Sequence, residues 1–151
     1  GVSFADLDND GDQDIYAVLG GAYEGDNYPN VCFENPTFEN NWVILNLEGV
    51  QSNRSAIGTK LKFDLDNGRT IFYSINTGGS FGANSLQAEI GLGQSELIQT
   101  LTIIWPSSDA QIFNSVVVNK KYKLLEGKNK LIEEPYEKVQ LLSKELIHHK
   151  K

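Results

Sequence analysis

Nine residues near the start of the chain, Asp6-Leu7-Asp8-Asn9-Asp10-Gly11-Asp12-Gln13-Asp14, constrain its fold more than any other stretch. They hold five carboxylates, and each pair at ~5 Å repels by ~0.8 kcal/mol even in water, so folding them together without a cation costs several kcal/mol. The flanks, 2–5 and 15–19, are short apolar runs of β type, which predicts two strands joined by the acidic segment as a loop. The spacing DxDxDGDxD matches the front of a calcium loop, with side-chain oxygens at positions 1, 3, 5 and 9, a carbonyl at position 7 and a sharp glycine turn at position 6. Asp6, Asp8, Asp10 and Asp14 are therefore expected to ligate through carboxylates and Asp12 through its backbone oxygen, with Leu7 and Ile15 anchoring the loop to its sheet. An EF-hand would need a bidentate Glu where Ala17 stands, and helical flanks. All-oxygen donors in a flexible loop suit Ca²⁺ better than magnesium or zinc. The competing readings are an acidic turn with no ion and an acid/base pair, but no neighbouring base, nucleophile or apolar pocket is visible for the latter.

The rest of the chain reads as β structure. A turn-rich connection at 20–29 leads to a third short strand at 31–33, and seven further strands are expected at 42–47, 59–65, 69–76, 88–91, 98–105, 111–117 and 122–126. Turn signals between them, with no helical period, favour a small β-sandwich or partly open barrel. Asp66-Asn67-Gly68 separates two of these strands. A three-residue loop with Gly68 in the left-handed region pairs Phe63 with Ile71 and Leu61 with Tyr73, whereas a two-residue turn would put the apolar sets on opposite faces. After Lys128, Glu133-Glu134-Pro135 is expected to open a short C-terminal helix within 129–151, with Val139, Leu142 and Leu146 on one face and Lys144, His148 and Lys150 toward its end. His148 and His149 read as solvent-exposed residues.

Composition excludes several function classes. The 151 residues are 40% hydrophobic and 22% charged, near globular averages, and no apolar run is long enough for a membrane span. A net charge of −7 makes nucleic acid a poor partner. Cys32 has no partner for a disulfide or zinc site and is expected to be a small buried thiol. The chain opens on Gly1-Val2-Ser3-Phe4 with no targeting features, so a signal is expected outside this stretch, and the chain is expected to be a fragment of a longer protein.

Phe4-Ala5-Asp6 through Asp14-Ile15-Tyr16 resembles the FG-GAP/VCBS repeat, a β-propeller blade with a calcium loop between two strands, as in integrin α-chain heads. The resemblance implies that 1–36 is a blade remnant. Further on, Asn41-Trp42-Val43, Leu47-Glu48-Gly49 with Ser52-Asn53-Arg54, Ala56-Ile57-Gly58, Gly78-Gly79-Ser80, Ile90-Gly91-Leu92-Gly93, Ile104-Trp105-Pro106-Ser107 and Glu126-Gly127 resemble the ASPIC/UnbV domain. That is a small β domain found after such repeats in secreted bacterial proteins and in cartilage acidic protein. It would occupy 41–128, although the family often carries glycine where Ser108 stands.

Other residues read more plainly. Gly91-Leu92-Gly93 opens no helix, so it is expected to be a turn pair and no nucleotide cradle. Gly78-Gly79-Ser80 is a turn or a ligand-contacting loop. Arg54, within the sequon Asn53-Arg54-Ser55, is expected to satisfy loop carbonyls, with a modified loop or an anion contact as alternatives. Trp42 and Trp105 are expected in the core ahead of sugar stacking. No catalytic residue is assigned. The function expected from the resemblance is a calcium-stabilised extracellular binding or adhesion module, secreted or at the cell surface, with an extracellular protein or glycan as partner. The alternatives are an ancillary C-terminal domain of a secreted hydrolase or carbohydrate-processing enzyme, or a structural or export cap of the propeller.

Overall fold

The computed structural model describes residues 1–36, 39–78 and 85–140, and among them the chain is all-β. Strands β1 (Val2–Ala5), β2 (Asp14–Ala17) and β3 (Val31–Phe33) form an antiparallel three-stranded sheet in that order. The remainder builds two four-stranded sheets from β4 (Asn41–Glu48), β5 (Lys60–Leu65), β6 (Thr70–Ser74), β7 (Ala88–Gly93), β8 (Leu97–Ile104), β9 (Ala110–Val117), β10 (Lys120–Leu125) and β11 (Ile132–Glu134). Their orders are β11-β10-β4-β7 and β6-β5-β8-β9.

Period-two alternation puts one face of each four-stranded sheet into a shared core. Val43, Leu45, Leu47, Ile90, Leu92 and Leu124 come from one sheet, and Leu61, Phe63, Leu65, Ile98, Leu101 and Ile103 meet them from the other. Ile98 and Leu101 are three residues apart, which strict alternation would send to opposite faces. A register shift opposite Asp64 and Leu65 absorbs the extra residue, the usual effect of a β-bulge. The β5–β6 hairpin has the expected register, Phe63 opposite Ile71 and Leu61 opposite Tyr73, with Gly68 at φ +81°. Ser108 also takes a left-handed φ, +74°, and its N–H closes the turn onto the Trp105 carbonyl, so the turn survives without glycine.

Strand β4 pairs parallel with β10 and antiparallel with β7. Its unbroken apolar run reflects burial on both faces: Val43 and Leu45 enter the core, while Ile44, pointing the other way, is also buried. Trp42 shares that second face. It is half-buried and lies outside the main core, which corrects its expected place, whereas Trp105 is fully buried and donates its indole N–H to Gln111 Oε1.

The expected C-terminal helix is absent from the described residues. Ile132–Glu134 adds instead as an edge strand antiparallel to β10, with Glu133 ion-paired to Lys120, and Pro135 to residue 140 continue without regular structure. An exposed strand edge offers three residues ladder partners along one side, whereas an isolated short helix is marginal in water. The rest of that expectation, Leu142 to Lys151, lies outside the described residues, as do Gly79 and Ser80. No helix among the described residues is long and apolar enough to cross a membrane. Cys32 is exposed, because its face of the small outer sheet is left uncovered.

Candidate metal centre

The acidic segment closes the β1–β2 hairpin, in which Ala5 and Asp14 are register partners. The loop is folded by its own carboxylates. Asp6 accepts the backbone N–H groups of Asp10 and Gly11, Asp8 accepts that of Asp10, and Asp10 accepts that of Asp12. Asp14 accepts from Leu7 N–H at one oxygen and from Asn35 N–H at the other. The result is convergence: one carboxylate oxygen each from Asp6, Asp8 and Asp14 lies within 4.8 Å of the others. Asp8 and Asp14 are 2% and 1% exposed. Leu7, expected as an anchor, is instead exposed, because turning Asp6 and Asp8 inward sends the residue between them outward.

Burial raises the Asp6 carboxyl above the usual aspartate range against the pull of the Tyr136 hydroxyl and two amides. Asp12 is pushed up to about 6, first by burial and then by the charges of Asp10 and Asp14. Its Oδ1 is buried with no hydrogen-bond partner among the described residues. The side chain thus turns toward the loop, although only its carbonyl was expected to matter.

Three features from elsewhere in the chain complete the site, and none was read from the sequence. The Trp42 indole lies against Gly11. Gln13 Nε2 donates to Glu89 Oε2 on β7. The segment after β11 crosses the loop: the Tyr136 hydroxyl donates to Asp6 Oδ2 at 2.7 Å, and Lys138 Nζ is 3.2 Å from Asp8 Oδ2 and 2.9 Å from Asp10 Oδ2. These carboxylates hold the Lys138 ammonium above the usual lysine range, and burial with the Asp6 bond does the same for Tyr136. Tyr136 and Lys138 alternate as in an extended chain, a spacing masked by the helical placement of Val139 and Leu142.

Gly11 has φ +97°, and a Cβ on it would stand 2.0 Å from Trp42 Nε1. Gly11→Ala therefore meets both a left-handed backbone and an indole ring. It should cost about 2 to 3 kcal/mol in urea unfolding, with a shift in Trp42 emission as the loop lifts from β4.

A second cluster sits at the far end of the sandwich. Glu126 is 6% exposed and accepts from the N–H groups of Val50, Gln51 and Ser52 and from the hydroxyls of Ser52 and Ser107. Burial alone would raise its carboxyl, but these bonds outweigh it and hold the group down at about 2. Next to it, Gln111 Oε1 receives both the Trp105 indole and the Gly127 N–H. Of the motif residues, Ser52 and Ser107 thus meet on one buried carboxylate, with Trp105 and Gly127 joined beside it through Gln111. Arg54 pairs instead with Glu48 at 3.2 Å through its exposed side chain and satisfies no loop carbonyl among the described residues.

A family model described as ASPIC and UnbV matches residues 49–131, the stretch that contains this second cluster and ends before Tyr136. No curated protein matches the chain.

Proposed function

The chain belongs to the ASPIC and UnbV family, and on that premise we propose that it is a calcium-stabilised extracellular binding or adhesion module. In this reading residues 1–36 form a blade of FG-GAP/VCBS type, and the loop from Asp6 to Asp14 holds one Ca²⁺. The observation that carries the metal reading is the convergence of Asp6, Asp8 and Asp14 oxygens within 4.8 Å in a segment with calcium-loop spacing. The donor chemistry fits: every side chain offered is a carboxylate, a set that suits a hard cation. The orphaned, buried Asp12 Oδ1 is a further group that a nearby positive charge would stabilise. Asp8 and Asp10 already meet the Lys138 ammonium, which the ion has to displace.

The module binds and catalyses nothing in this account. Its partner is an extracellular protein or glycan, and its resemblance to domains of secreted proteins supports a place outside the cell. Extracellular loops of this kind work at ~0.1 to 1 mM calcium, and an ion that binds only the folded chain stabilises it by about 2.7 kcal/mol at a hundredfold excess over Kd.

Thermal unfolding in calcium and in chelator tests the reading. For a chain of this size calcium should raise Tm by about 5 to 10 °C, and Asp6→Ala combined with Asp10→Ala should abolish the rise. Equal Tm values for the wild type in calcium and chelator would overturn it.

A further inference from the structure

The contacts between the segment after β11 and the acidic loop join parts of the chain that are far apart in sequence. Tyr136 reaches Asp6 and Lys138 reaches Asp8 and Asp10. The backbone adds two bonds, from Val139 N–H to the Asp8 carbonyl and from the Asn9 side-chain amide to the Glu137 carbonyl. Tyr136 is held from outside the loop as well. Its ring is tilted 60° against Trp42 with centroids 5.5 Å apart, and Lys121 Nζ lies 5.2 Å from the Tyr136 ring centroid. The aromatic end of the segment is thus fixed to the sandwich, while its cationic end rests on the loop.

We propose that residues 136–139 form an intramolecular latch whose Lys138 ammonium is the resident counter-ion of the acidic loop, competing with a divalent cation for Asp8 and Asp10. The proposal rests on the reading of that loop as a divalent-cation site. A calcium ion takes its oxygens at about 2.3 to 2.6 Å, closer than the ammonium sits now, and repels a positive charge held on the neighbouring carboxylates. Ion and ammonium therefore exclude one another. Without the ion, the latch neutralises part of the loop's charge; with it, Lys138 leaves, Tyr136 still holds the segment, and the bonds on either side of Lys138, from Val139 N–H to the Asp8 carbonyl and from the Asn9 side-chain amide to the Glu137 carbonyl, weaken. Occupancy of the loop is thereby transmitted to the chain beyond β11, and the latch lowers the affinity the bare loop would have.

Calcium titration by calorimetry of wild type and Lys138→Gln, with amide hydrogen exchange at 136–139, tests this. Lys138→Gln should bind calcium about tenfold more tightly, the scale of removing one competing charge-assisted contact, and calcium should speed exchange of the Val139 amide in the wild type. An affinity in Lys138→Gln equal to or below that of the wild type overturns the latch and leaves the metal reading intact. Absence of binding in both chains overturns the metal reading and the competition with it.

Discussion

Glu126→Ala lowers the unfolding free energy by about 3 to 5 kcal/mol, measured by urea denaturation at neutral pH. The substitution removes the one acceptor that serves three backbone N–H groups and two hydroxyls in a partly buried network, and hydrogen bonds to a charged acceptor contribute more than neutral ones. The acid response gives an independent measure. A carboxyl lowered from 4.5 to about 2 corresponds to about 3 kcal/mol of preference for the ionised, folded form. Because the folded value is the lower one, this stability is fully present above the ordinary pKa and is lost as pH falls toward the folded one. The gap between wild type and Glu126→Ala should therefore hold above about pH 5 and close progressively as pH falls toward 2. A gap independent of pH across that window would mean that Glu126 acts by packing and not by charge.

Phe63→Ala should cost about as much, 3 to 5 kcal/mol, by a different route. Phe63 is fully buried, stands opposite Ile71 on one side and Leu101 on the other, and fills the layer between the two four-stranded sheets. Its neighbours belong to strands fixed by ladder bonds, so the site cannot collapse around the missing ring, and the cost includes the cavity as well as the lost burial. This loss should be insensitive to pH, in contrast to that of Glu126→Ala. A loss below about 1 kcal/mol would show that the sheets move together to fill the gap.

What was legible in the sequence is what local rules decide. The β5–β6 register followed from Asp66-Asn67-Gly68 and the alternation on either side, because a turn and its two strands lie within sixteen residues or so of each other. The hairpin around the acidic loop was legible for the same reason: its aspartate spacing, its glycine and its flanking strands are contiguous. The parallel pairing of β4 with β10 was not, since nothing local distinguishes one buried strand's partner from another's. Trp42 looked like a core residue because its strand is apolar, yet its side of β4 is covered by Gly11 and Tyr136, which approach from opposite ends of the chain. Among the described residues the helix expected after Glu133 is absent because the competing structure, an edge strand on β10 followed by an extended segment over the loop, depends on partners about ten to 130 residues away. The motif residues around Glu126 were each visible, but only the fold shows that they converge on one carboxylate.

The central claim is that the loop from Asp6 to Asp14 is a calcium site. Its most direct test is a calorimetric titration of calcium into the whole chain. The account predicts one ion per chain with a Kd of about 0.1 to 1 mM or tighter, lost in Asp6→Ala with Asp10→Ala. A titration that shows no binding at several millimolar calcium would contradict it and leave the loop as an acidic turn neutralised by Lys138.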